Sequence, residues 1–247
     1  NIKKDSFTEN LTSYTALKKS ERKNFFKDSD PETRWVDSIY NKMTVPEKIG
    51  QLYMISAYSN KDSVHENKTK ALIKEYNIGG IIFFQGGPGR QAKLTNQYQA
   101  VAKVPLFVAI DAEWGLSMRL DSTYVFPWNM TLGAIQDLSL IEKVGQQMGA
   151  ESKRMGIHFN FAPVLDINTN PKNPIIGNRS FGESKTNVSN KAIALMKGVQ
   201  EQGVFSTGKH FPGHGDTSAD SHYTLPLVNF SKERIDNIEL YPYKKLF

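Results

Sequence analysis

The sequence predicts an α/β fold of the (β/α)8, TIM-type barrel class, with about the first five βα units present in its 247 residues. Three observations predict it. Five short runs rich in Val, Ile and Phe recur along the chain, helical patterns lie between most of them, and conspicuous polar residues sit just past the run ends. Strand, helix, strand, repeated, builds a parallel sheet, and apolar runs without alternation belong to strands buried on both faces. Polar residues past several strand ends favour a closed barrel, which assembles its site at the C-terminal rim from many strands. An open sheet would concentrate its site at one switch point.

Residues 1–30 are polar, charged and weakly periodic, and read as an arm or linker ahead of a barrel domain over 31–247, beginning near Pro31 or Trp35. In "MTVPEKIGQL", Thr44 followed three residues later by Glu47 is a capping box with Pro46 in the first turn, so a helix starts there. The strand-like runs are Leu52–Ile55, Gly80–Phe84, Leu106–Ile110, Phe159–Val164 and Val204–Thr207; Gln85, Asp111, Asp166, Lys209 and His210 stand past their ends. "QGGPGRQ", after Phe84, has neither the G-x-x-x-x-G-K-[ST] nor the G-x-G-x-x-G spacing and reads as a turn. Leu138, Ile141, Val144, Met148 and Met155 fall mainly at helical spacings of three and four. The end, "SKERIDNIELYPYKKLF", is an amphipathic pattern without a capping glycine or polar tail. Leu52 to Val204 spans four repeats, so completing eight units would take on the order of 110 further residues. The chain therefore reads as the N-terminal part of a barrel, with an additional C-terminal domain possible in the full-length protein.

Composition bounds the function classes. With 39% hydrophobic and 23% charged residues the chain folds as a globular domain, and without cysteine it has neither disulfides nor thiolate chemistry. No apolar run approaches the roughly 18 residues of a transmembrane helix. A net charge of +6 suits an anionic partner such as an acidic wall polymer, but the basic residues are scattered without a basic, aromatic-interleaved stripe, so nucleic acid is not the expected partner. The N-x-S/T sequons follow from Asn, Ser and Thr content and carry no weight.

"KHFPGHGDTSADSHYTLP", residues 209–226, holds three of the five histidines. Three readings compete for it. As a metal site, His210 and His214 are four apart, but Pro212 and Gly213 between them break a shared helical face; Asp216, Asp220 and His222 could still complete a zinc sphere. As structural residues, the histidines would bond backbone groups of a Gly/Pro loop. As acid/base machinery, Asp220 and His222, two apart in an extended segment, point to one side. The carboxylate then fixes the tautomer and leaves the other ring nitrogen to give or take a proton. Gly213 and Gly215 would let a mobile loop carry that pair over bound substrate.

"KHFPGHGDTSADSH", with "AIDAEWG", "GNRSFG" and "MTVPEKIGQL", resembles glycoside hydrolase family 3 in its β-N-acetylglucosaminidase branch, over about residues 40–245. The resemblance implies a retaining enzyme on a (β/α)8 barrel that removes N-acetylglucosamine from cell-wall muropeptides without cofactor or metal. It assigns Asp220 and His222 to the general acid/base dyad, and Asp111, Arg119, Arg179, Lys209 and His210 to the sugar's hydroxyl and N-acetyl groups. Trp114 departs from the Gly-Gly usual after the acidic pair and would add an apolar face near the ring. The family's nucleophile, an aspartate after a later strand, is expected beyond residue 247, so these residues alone are expected to be inactive. The wall substrate and cationic charge favour the cell envelope or periplasm, with a cytoplasmic recycling enzyme as the alternative. A carbohydrate-binding or inactive barrel fragment, and a metal-dependent hydrolase using the histidines, remain the competing functions.

Overall fold

The computed structural model describes residues 30–220, 222–228 and 230–246; apart from Asp30, the arm expected over 1–30 lies outside them. The chain divides into two compact units, Asn1–Lys48 and Ile49–Phe247. In the first, helix α1 (Pro31–Tyr40) opens with proline and buries none of its residues. Helix α2 (Val45–Gly50) begins at the expected capping box. The Thr44 N–H donates to Glu47 Oε2 at 2.9 Å and the Glu47 N–H to Thr44 Oγ1 at 3.4 Å.

The second unit is built on a five-stranded parallel sheet in the order β1-β2-β3-β4-β5: Met54–Ala57, Gly80–Phe83, Phe107–Ile110, Phe159–Asn160 and Phe205–Ser206. Helix α3 (Ser63–Tyr76) joins β1 to β2 and α4 (Pro88–Val101) joins β2 to β3. Each strand pairs with the next in sequence and the order never reverses, which is how a TIM-type barrel is wound and a dinucleotide-binding sheet is not. All five strands depart from their expected bounds: the second stops at Phe83, the third starts at Phe107, the fifth shortens to Phe205–Ser206, and the first, which runs on to Ala57, and the fourth depart further. The first begins at Met54 because the Leu52 and Tyr53 N–H groups close the turn after α2, onto Ile49 and Gly50, leaving both side chains exposed. The fourth ends at Asn160 rather than Val164, since Pro163 has no N–H to donate; only a bridge between Val164 and Lys209 continues it.

One face of the sheet packs its alternate residues Ile81, Phe83, Val108 and Ile110 with Ile73, Leu94 and Tyr98 of α3 and α4 in a single core. On the other face Phe107, Phe159 and Phe205 form an aromatic ladder, with ring centroids 5.1 Å and 4.9 Å apart. A second core lies where α6 (Leu138–Arg154) meets α7 (Lys185–Glu201), burying Ile141, Met148, Val188, Leu195 and Val199. Between β3 and α6 sits the short α5 (Asn129–Gly133). The two long helices approach through glycines: a Cβ at Gly145 would lie 2.2 Å from the Leu195 carbonyl oxygen, and one at Gly198 2.1 Å from that of Glu142. Of the "QGGPGRQ" segment, expected as a turn, only residues 85–87 lie outside helix; residues 88–91 form the first turn of α4, with Gly87 as its N-cap and Pro88 in its first turn. The C-terminal amphipathic pattern is two short helices, α8 (Lys232–Asn237) and α9 (Tyr241–Leu246), because Pro242 fits a first turn and cannot continue a helix entering from upstream.

Candidate active site

Three strand ends supply the charged cluster. Asp111 follows β3 directly and Glu113 stands two residues on; Asp166 lies past β4, and Lys209 and His210 past β5. Asn160, the buried last residue of β4, clasps the peptide between the two acids: its Nδ2 donates to the Ala112 carbonyl at 3.1 Å and its Oδ1 accepts the Ala112 N–H at 3.0 Å. Lys209 Nζ then sits 2.8 Å from both Asp111 Oδ1 and Glu113 Oε1. Arg119 donates to Asp111 Oδ2 at 3.0 Å. Arg179, in the 3-10 turn Gly177–Arg179 after β4, grips Glu113 with Nε at 2.8 Å and Nη2 at 2.7 Å. The same Nη2 lies 3.2 Å from His210 Nε2, and His210 Nδ1 lies 2.6 Å from Asp166 Oδ2. The structure thus brings Asp111, Arg119, Arg179, Lys209 and His210 together. Gln85, another polar residue past a strand end, is exposed and bonded to Asn60 instead.

The Glu113 side chain is fully buried. Burial pushes its carboxyl up, but hydrogen bonds from Arg179 and the charges of Lys209 and Arg179 outweigh this and hold it below the ordinary carboxylate value. Burial pulls the Arg179 guanidinium down, yet bonding to Glu113 and the nearby carboxylates raise it overall. Counting Asp111, Glu113 and Asp166 against Arg119, Arg179 and Lys209, the cluster is balanced in charge. Except for Glu113 and Asp166 its members are only partly buried, so forked donors and carboxylate acceptors face solvent together, as hydroxyl-rich ligands require.

Asp220 and His222 pair as expected, though by a different local geometry. Asp220 Oδ1 accepts both the His222 N–H at 2.8 Å and ring Nδ1 at 2.7 Å, while the Asp220 carbonyl accepts the N–H groups of Tyr223 and Thr224. This is an Asx-type turn, not an extended segment, because the short carboxylate reaches its own backbone two residues on. The His222 N–H, then the ring, hold the Asp220 carboxyl below its ordinary value. The His222 side chain is 73% exposed. Among the described residues no hydrogen bond or ion pair joins this dyad to the charged cluster.

The base of the loop is fixed. Asp166 Oδ1 accepts the His214 N–H at 2.6 Å, Asn173 donates to the His214 carbonyl at 2.7 Å, and Arg234 of α8 pairs with Asp216 at 2.7 Å. Gly215 is no hinge: a Cβ there would lie 1.8 Å from the Ile167 carbonyl oxygen, so the glycine permits close packing. The histidines form no ligand sphere; His210 has both ring nitrogens engaged, and His214 Nδ1 meets Thr217 Oγ1. Among the described residues no group of three or more His, Asp or Glu side chains is arranged to hold a metal ion.

Residues 44–247 match the Glycosyl hydrolase family 3 N terminal domain. The chain belongs to glycosyl hydrolase family 3. This family 3 chain is 40% identical over 188 residues to the β-hexosaminidase A of Pseudoalteromonas piscicida, a match covering 71% of the chain and 31% of that relative. It resembles the solved family 3 β-N-acetylglucosaminidase from Paenibacillus sp. str. FPU-7 with a TM-score of 0.75 at 40% identity, over 83% of this chain and 40% of that one. The β-glucoside phosphorylase BglX bound to 2FGlc superposes with a TM-score of 0.81 at 26% identity, over 86% and 38% of the two chains. The chain spans between 31% and 53% of the lengths of curated relatives it matches. Its fold class, a TIM-type barrel domain with five βα units in these residues, accords with these likenesses.

Three residues that organise this family 3 site had no role assigned from sequence. Glu113 could have been found from its spacing to Asp111, since residues two apart in an extended segment share a side. Asp166 was visible only as a polar residue past a strand end. Asn160 lies inside an apolar run and gives no signal of its own.

Proposed function

We propose that the protein carrying this chain is a retaining β-N-acetylglucosaminidase that removes terminal N-acetylglucosamine from peptidoglycan fragments. The Asp220–His222 hydrogen bond is the observation that carries the reading. With Nδ1 held by the carboxylate, the exposed imidazole keeps Nε2 for proton transfer. In the first half-reaction Nε2–H protonates the glycosidic oxygen as the bond to the anomeric carbon breaks and an aspartate outside residues 1–247 forms a glycosyl ester. In the second, Nε2 takes a proton from the water that hydrolyses the ester. Asp111, Arg119, Arg179, Lys209 and His210 hold the sugar's hydroxyl and N-acetyl groups. The names of the Pseudoalteromonas and Paenibacillus relatives support the hexosaminide class, and a wall-derived substrate favours the cell envelope over the cytoplasm.

Release of p-nitrophenol from its β-N-acetylglucosaminide by the full-length protein tests this. Turnover should be indifferent to EDTA, and His222→Ala should lower kcat by about 100-fold or more with little change in KM. Undiminished turnover in His222→Ala sinks the dyad reading, and loss with EDTA favours metal-dependent hydrolysis. Because one solved relative is named a phosphorylase, the assay is repeated in phosphate: a sugar 1-phosphate product would replace hydrolysis by phosphorolysis.

A further inference from the structure

We propose that Asp166 is a positioning residue of this site: its buried carboxylate holds His210 in the Nδ1–H tautomer, so that the Nε2 lone pair faces Arg179 and the sugar position beside it. His210 lies between an obligate acceptor and an obligate donor. A carboxylate only accepts and a guanidinium only donates. With Nδ1 2.6 Å from Asp166 Oδ2 and Nε2 3.2 Å from Arg179 Nη2, the tautomer that satisfies both carries its proton on Nδ1.

Asp166 has the reach to set this geometry. Its side chain is fully buried, so no water replaces a lost partner, and both oxygens are committed: Oδ2 to the His210 ring, Oδ1 to the His214 N–H at 2.6 Å. Its carbonyl accepts the Ser180 hydroxyl at 2.6 Å, and Ser180 adjoins Arg179. One residue therefore fixes His210 through its side chain and the Arg179 turn through its main chain. The carboxylate touches no substrate position itself; it acts through the imidazole, as the outer partners of ligand histidines do.

The inference rests on reading His210 and Arg179 as sugar contacts, yet its first test needs no sugar. In the full-length protein labelled with 15N-histidine, with His210→Ala used to assign the resonance, His210 should show the Nδ1–H form. In Asp166→Asn the amide oxygen can keep the His214 N–H, turning its NH2 toward His210 Nδ1. The proton should then move to Nε2, and kcat/KM should fall about 10- to 100-fold. In the His210→Ala background Asp166→Asn should cost less than about twofold more, because the coupling runs through the ring. An Nε2–H form in the unsubstituted protein overturns the proposal, even if Asp166→Asn fails to fold. A switched tautomer with unchanged kcat/KM overturns the positioning role. Absence of hexosaminidase turnover in the unsubstituted protein defeats the functional reading instead, and leaves the tautomer result to stand by itself.

Discussion

Glu113 is a fully buried carboxylate held by two cations, Arg179 and Lys209, that are themselves partly buried. Removing one partner of such a set strands the others, which costs about 3–5 kcal/mol where a buried pair is broken. Glu113→Gln should therefore lower unfolding free energy in urea by about that amount at neutral pH. The pH dependence follows from the depressed carboxyl. Below its ordinary value near 4.5 the unfolded chain takes up a proton that the folded chain refuses, so stability is full above that value and is lost as pH falls through the lower folded one. The urea midpoint should drop as pH goes from about 5 to about 3, and less steeply in Glu113→Gln, which has no proton to take up. The residues legible in sequence were those carried by motifs: Asp111, Arg119, Arg179, Lys209 and His210 do converge. Glu113 and Asp166 were visible only by spacing and by place past a strand end, and their burial was not legible, because which carboxylates become buried depends on how three loops from different strands close over them.

Among the elements, the two long helices show what a sequence hides and what it shows. The three-and-four spacing of Leu138, Ile141, Val144 and Met148 was enough to place α6, though Met155, read with them, lies just past its end and packs on the first core, and Thr44 with Glu47 was enough to start α2. Nothing local announced that Gly145 and Gly198 are contact points between helices far apart in sequence. Gly198→Ala should push the helices apart and cost about 1–3 kcal/mol, the range for overpacking. Gly89→Ala is the control: it lies in α4 with open space where its Cβ would be and should be neutral or stabilising by up to about 1 kcal/mol. Urea midpoints of the two variants moving together would remove the close-approach argument. The misplaced bounds have equally local causes, Pro163 ending β4 and Pro242 restarting a helix, and a proline's effect depends on whether its missing N–H was needed. At the loop, the i,i+2 spacing of Asp220 and His222 identified the pair but not the turn that makes it, since a side chain bonding its own backbone defeats the alternation rule.

For the molecule as a whole, the fold class was legible because it depends on repetition rather than on any one boundary: apolar run, helix and polar strand end recur, and the observed strand order follows. The cell-wall substrate and the identity of the nucleophile are carried by the proposal and its assay. The balance of carboxylates and cations at the rim has a consequence for how substrate arrives. The chain carries +6 overall, but where the sugar would dock the local charges cancel. An uncharged glycoside then feels no long-range pull toward the site, and it displaces no counterions on entering. Its kcat/KM should stay within about twofold from low salt to several times physiological ionic strength, where Debye screening would slow an electrostatically steered reaction many-fold. Capture of such an uncharged glycoside would be governed by diffusion and fit, whereas an acidic wall fragment would still be drawn by the +6 of the chain and released from that pull by salt.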